Sequence, residues 1–122
     1  MDIQRLFPEF SVCKLLSLDS VDFTDNFVFL AKTDEEISLV CKTECVPENA
    51  FAVERGFSAF RICGPLDFCL VGIIARISDI LAEGRISVFI ISTFHTDYIL
   101  VKSAHQDQAA ATLQEAGYRI VE

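Results

Sequence analysis

The period of the apolar residues changes between Leu70 and Lys102, and this limits the possible folds more than any other feature. In "LVGIIARISDILAEG" (70–84), Ile73, Ile74, Ile77, Ile80 and Leu81 recur three or four residues apart. That spacing puts them on one face of a helix, with Arg76, Asp79 and Glu83 on the other. The next stretch, "ISVFIIS" (86–92), is too short and too β-branched for a helix and reads as a strand. After the polar "TFHT" comes "DYILVK" (97–102), its neighbour in a hairpin. A helix feeding an antiparallel hairpin excludes both a helical bundle and an all-β sandwich. The class is α+β.

The flanking segments extend this pattern. "FSAFRICG" (57–64) reads as a strand before the helix, and "AHQDQAAATLQEA" (104–116) as a second helix after the hairpin. Ser103 is placed to cap that helix, Gly117 to end it, and "YRIVE" to close as a strand. Residues 57–122 therefore read β-α-β-β-α-β. Residues 1–56 repeat the order weakly: a strand at Phe10–Leu18, a polar stretch, a hairpin at Phe27–Lys42 and a short helix in "VPENAFAVERG" ended by Gly56. This half lacks a last strand, a place that "DIQRLF" (2–7) can fill. The expectation is two ferredoxin-like βαββαβ units, antiparallel sheets with helices on one face, fused without a flexible linker.

In strand 86–92, Ile86, Val88 and Ile90 share one face and Ser87, Phe89 and Ile91 the other. Helices cover one face. The second is still largely apolar and requires another subunit or another part of the chain.

Composition limits the function. The chain of 122 residues has 52% hydrophobic residues and eleven Phe, ample material for a core. Its net charge of −8 argues against nucleic acid or an anionic membrane as the main partner. No run approaches the ~18 apolar residues of a membrane span, and "MDIQRLFPEF" has no long apolar stretch behind basic residues, so no signal peptide is expected. Five cysteines, mostly inside apolar stretches, fit reduced thiols in a cytoplasmic protein better than a disulfide framework. Cys41 and Cys45 lie close enough for a metal pair, but His95 and His105 sit on a turn and a helix start, so no metal is expected. Cys69 reads as a core thiol and Asp67 as a brace for the loop entering the helix. No nucleophile–base set and no phosphate-cradling glycine loop is present. Neither enzymatic activity nor a cofactor is expected.

The stretch "GIIARISDILAEGRISVF" resembles the core signature of ACT domains, small βαββαβ modules that bind amino acids and regulate enzymes. Gly72 matches the glycine that opens the helix, Ile73 and Ile74 its aliphatic pair, and Ile86 and Ser87 the strand start. The blocks "GPLDF" and "STFHTDYILV" narrow the resemblance to paired-ACT small proteins, which include free-standing bacterial proteins and the repeats of CASTOR-like arginine sensors. Two departures stand out. The family has Ala-Gly before the Ile-Ser strand, where this chain has Gly84-Arg85, so the left-handed residue either moves back to Gly84 or is Arg85 itself. Phe27 or Phe29, and Phe57, stand where the family carries a larger aromatic; the chain has no Trp.

The polar cluster Ser92–Asp97 has two readings. As the corner of a hairpin it needs no ligand, because Thr, His and Asp side chains bond nearby backbone. The resemblance adds a ligand site made of Gly72, Ile73, Thr93, Phe94 and Asp97. There the helix N-terminus receives an α-carboxylate, and Asp97 the α-ammonium or a basic side chain of the ligand. The implied function is a non-catalytic regulatory or sensor protein whose partners are a free amino acid and either further copies of itself or a regulated protein. Two alternatives stand beside it: a ligand-free oligomerisation scaffold, and a detached regulatory subunit of an amino-acid biosynthetic enzyme.

Overall fold

The computed structural model describes residues 1–64, 66 and 71–122. The fold is mixed α+β, with eight strands and two α-helices among the described residues: β1 (Asp2–Arg5), β2 (Phe10–Leu15), β3 (Val28–Lys32), β4 (Ile37–Lys42), β5 (Ala50–Ile62), α1 (Ile73–Glu83), β6 (Phe89–Ser92), β7 (Asp97–Lys102), α2 (Gln106–Glu115) and β8 (Arg119–Val121). The chain divides into two compact units, Met1–Phe7 with Ser58–Glu122, and Pro8–Phe57. The long strand β5 contributes its first half to the smaller unit and its second half to the larger.

In the larger unit β5, α1, β6, β7, α2 and β8 follow in the expected order, with strands arranged β6-β7-β5-β1-β8. The N-terminal strand is a correction to the expectation. β1 does not complete the first half. It inserts between β5 and β8, antiparallel to the former (Ile3 opposite Ile62) and parallel to the latter (Ile3 opposite Ile120). The cause is burial: Ile3 is fully excluded from solvent among Phe60, Ile62, Ile99 and Leu113. At ~25 cal/mol per Å², an aliphatic side chain buried this completely contributes about 2 kcal/mol.

The core of this unit lies between one sheet face and the two helices. Ile77 and Leu81 of α1 and Ala109, Ala110 and Leu113 of α2 pack on Ile3, Phe60, Ile62, Ile99 and Val101. Both helices end in the same hydrogen-bond pattern. Ile86 N–H donates to Leu81 O and Arg85 N–H to Ala82 O, both at 2.9 Å, while Tyr118 N–H donates to Leu113 O and Gly117 N–H to Gln114 O at 3.1 and 3.0 Å. These are Schellman ends, each needing a left-handed residue after the helix cap. Gly117 supplies it in α2 with φ 103° and Arg85 in α1 with φ 60°, so the left-handed residue does not move back to Gly84. Ile86 is thereby committed to the helix end and packs in the core, which delays β6 until Phe89. Ser103 does not cap α2. It opens a 3-10 turn, and its hydroxyl bonds that of Ser58 at 2.8 Å.

In the smaller unit the strands run β3-β4-β2-β5. The short helix expected in "VPENAFAVERG" is absent: residues 50–62 are one strand. Val53 and Ala50 pair with Cys13 and Leu15 and close the core of this unit with Leu39 and Cys41. That burial outweighs the helical preference of the Ala and Glu residues around them. Gly56, read as a helix end, sits at φ 80° where the register slips between the Phe10–Phe57 and Val12–Glu54 pairs, so it serves a β-bulge. Phe27 packs edge-on against Phe10, centroids 5.6 Å apart, and stacks on Phe29 at 6.5 Å.

Candidate functional site

The larger unit places all five candidate residues, Gly72, Ile73, Thr93, Phe94 and Asp97, on one crevice of about 410 Å³. Its walls are the N-terminus of α1 and the corner joining β6 to β7. Both walls follow from the sequence. Gly72 adopts φ 82°, a left-handed conformation that lets the chain turn sharply into α1. A Cβ there would meet nothing within 4 Å, so backbone conformation rather than crowding calls for glycine. The first intrahelical bond is Arg76 N–H to Gly72 O at 2.9 Å. The amides just inside the helix thus have no intrahelical acceptor, and no side-chain cap serves Gly72. The partial positive charge of the helix end faces the crevice.

The opposite wall is anionic. Ser92 and Asp97 are a cross-strand pair in the β6–β7 ladder. Since Ile99 and Val101 face the helices, strand alternation turns Asp97 to the same side. The Ser92 hydroxyl donates to Oδ1 of Asp97. No cationic side chain among the described residues pairs with this carboxylate. The corner between them is fixed by its own bonds. Thr93 N–H donates to Thr96 O at 2.8 Å, and Thr96 N–H to Thr93 Oγ1 at 3.4 Å. The buried Thr96 hydroxyl donates to Ile62 O at 2.6 Å, tying the corner to β5. Leu66 N–H donates to His95 O at 2.7 Å and brings the loop after β5 against the corner. Phe94 stands at the rim, 74% exposed, with His95 edge-on at 5.4 Å.

Sequence reasoning named five residues of this crevice and missed others that complete it. Ser92 holds the carboxylate, Thr96 anchors the corner, and Leu66 and Ala75 line the wall. The signal for Ser92 was present: in a hairpin with this corner it falls directly opposite Asp97. Asp67 and Cys69, and the start of the helix at Leu70, lie outside the described residues. Cys41 and Cys45 belong to the smaller unit and His95 and His105 to the larger. No group of metal-ligating side chains occurs among the described residues, and no described helix is long and apolar enough to cross a membrane.

Comparison with known proteins bears on the fold and on the family. A solved protein from Agrobacterium tumefaciens is 28% identical, with a TM-score of 0.86 over 98% of this chain and 91% of its own. A Vibrio cholerae protein of unknown function, described as a possible transport protein, is 22% identical with a TM-score of 0.73, covering 92% and 86%. The ligand-free regulatory subunit of aspartate kinase from Thermus thermophilus shares the fold at 6% identity, with a TM-score of 0.67 over 96% and 97%. No curated protein matches the sequence. The ACT domain profile matches residues 52–115, just over half of the chain. This stretch carries α1, the β6–β7 corner and all of α2, and on this match the chain belongs to the ACT domain family.

Proposed function

We propose that this protein is a non-catalytic, cytoplasmic amino-acid sensor built of two ACT units, the smaller with its helices reduced to a loop and a 3-10 turn. The ligand occupies the crevice between α1 and the β6–β7 corner. One observation carries the reading: Gly72 and Ile73 at a helix N-terminus and Asp97 on the hairpin line the same crevice from opposite walls. Backbone amides suit an α-carboxylate, and the Asp97 carboxylate suits an ammonium. The volume of about 410 Å³ fits a small zwitterion. Thr93 and Phe94 give it a polar edge and an apolar wall. Phe94, exposed at the rim, is where another copy or a regulated protein would close the site. Binding then shifts that contact by no more than the ligand's preference for the closed state.

Calorimetric titration with each of the twenty amino acids at millimolar concentration tests this. Saturable binding of one or a few is expected; silence across all of them overturns the proposal.

A ligand-free scaffold is the second reading. It is favoured by the sheet face opposite the helices, where Phe89 is 38% exposed and Ile91 half-buried. Asp97→Ala separates the two. As a sensor, the variant loses ligand-dependent stabilisation and keeps its assembly state; as a scaffold, the protein has no such stabilisation to lose. The likeness to an aspartate kinase regulatory subunit suggests a third arrangement, a detached regulator of a biosynthetic enzyme, which co-purification of a kinase would reveal.

A further inference from the structure

The β6–β7 corner has a structural duplicate in the smaller unit. At one constant offset Phe29 matches Phe89, Thr33 matches Thr93, Leu39 matches Ile99 and Lys42 matches Lys102. The ladders agree residue by residue. Lys32 pairs with Ile37 as Ser92 pairs with Asp97, and Phe29 pairs with Val40 as Phe89 pairs with Leu100. The turns agree as well. Thr33 N–H donates to Glu36 O at 2.9 Å, and the Thr33 hydroxyl accepts from Glu36 N–H at 3.2 Å, the same two bonds that Thr93 makes with Thr96. Even the supporting hydroxyl pair recurs: Ser11 bonds Thr43 at 2.8 Å, as Ser58 bonds Ser103.

The corners share a backbone and differ in chemistry. Where the larger unit has Asp97, the smaller has Ile37; where it has Ser92, the smaller has Lys32. An aliphatic side chain cannot balance an ammonium, and a lysine beside it repels one. The second wall has changed too. Between β2 and β3, where the larger unit has α1, the smaller holds no α-helix, so no helix N-terminus presents amides. Its crevice, about 360 Å³, is lined instead by Lys14, Lys32, Ile37 and Phe51 together with the turn acids Asp34, Glu35 and Glu36.

We infer that each chain carries one amino-acid site, in the larger unit, and that the Ser92–Asp97 pair is what distinguishes the competent corner from its incompetent duplicate. This rests on the amino-acid reading above. The hairpin of the smaller unit is a structural copy whose recognition pair has been replaced by Lys32 and Ile37, while its turn and ladder are retained.

Native mass spectrometry of the full chain with an equimolar mixture of the twenty L-amino acids tests the inference by counting adducts per chain. One adduct at saturation is expected, unchanged in Lys32→Ala. The double variant Ser92→Lys, Asp97→Ile puts the smaller unit's pair on the larger unit's corner and loses the adduct. Circular dichroism and thermal unfolding check that it folds, which the existing copy of that hairpin supports. Should the double variant fail to fold, Asp97→Asn serves in its place, its adduct needing about ten- to a hundredfold more ligand. Two adducts per chain, or an adduct that forms in Asp97→Asn at undiminished affinity, overturns the inference and leaves the amino-acid reading standing. No adduct on the native chain overturns both.

Discussion

Arg85 ends α1 in the left-handed conformation that Gly117 adopts at the end of α2, within the same pair of Schellman hydrogen bonds. Both positions have positive φ, 60° at Arg85 and 103° at Gly117, and one carries a side chain where the other has none. A side chain at positive φ costs about 1–2 kcal/mol, whereas glycine has no such penalty but loses more freedom on folding, about 0.5–1 kcal/mol. Arg85→Gly therefore stabilises the protein by about 0.5–1 kcal/mol, raising the melting temperature by a few degrees for a chain of this size. Gly117→Ala does the reverse by about 1 kcal/mol. Thermal unfolding of the two variants side by side checks both signs. A loss of stability in Arg85→Gly would show that the arginine side chain makes a compensating contact.

Thr96→Val tests what anchors the corner. The Thr96 side chain is buried, and its hydroxyl reaches Ile62 O at 2.6 Å across to β5. Valine keeps the shape and leaves that carbonyl short of a donor, which costs about 1–3 kcal/mol. Chemical denaturation measures the loss. Hydrogen exchange of the Thr93 and Leu66 amides, both bonded within this corner, should rise by more than exchange in α2. A uniform change across the unit would mean that the corner is not a separate opening unit.

The fold is legible in the sequence where local patterns and packing agree. The amphipathic α1, the β6–β7 hairpin and the closing α2–β8 segment were all legible, and α1 and that hairpin bring the crevice with them. Reading failed where a distant partner decided the outcome. Nothing within "AFAVERG" says that β2 waits to pair with it; Gly56 looks like a helix stop until the register slip opposite Phe10 makes it a bulge. The place of the N-terminal strand is illegible for the same reason, since Ile3 is equally apolar wherever it goes and only the core of Phe60, Ile62 and Leu113 selects its place. Ser103 shows a third kind of miss. A hydroxyl before a helix suggests a cap, but Ser58, far away in sequence, offers a competing partner.

Cysteine ionisation gives a pH signature. Burial raises the Cys13 thiol, and burial together with the neighbouring Cys13 and Cys45 pushes Cys41 up to about 12. In the unfolded chain these thiols ionise near 8.5. The folded state holds their protons more tightly, so the stability they contribute is fully present below pH 8.5 and lost progressively as pH rises toward 12. Denaturation midpoints should thus be level between pH 7 and 8 and fall above pH 9, and the fall should be shallower in Cys41→Val. In the native protein at pH 8, alkylation followed by peptide mapping should modify the exposed Cys63 much faster than Cys13 or Cys41. Equal rates would mean that the smaller unit opens freely.

Asp97→Asn and Gly72→Ala separate charge recognition from backbone strain at the two walls of the crevice. Asparagine keeps the shape of Asp97 and removes its charge. A charge-assisted bond to an ammonium contributes about 1.5–3 kcal/mol, so affinity for the amino acid identified by titration should fall about ten- to a hundredfold. Basal stability should change little, because the amide oxygen still accepts from Ser92. Gly72→Ala has the opposite profile. Its new methyl group meets nothing within 4 Å and leaves the crevice open, but at φ 82° it costs about 1 kcal/mol or more of basal stability. Ligand-induced stabilisation, measured from each variant's own unliganded melting temperature, should therefore survive in Gly72→Ala and shrink sharply in Asp97→Asn. If both variants retain it, the ligand is held elsewhere. If both lose it, the position of the helix end matters as much as the carboxylate, and the left-handed turn at Gly72 is itself part of the recognition.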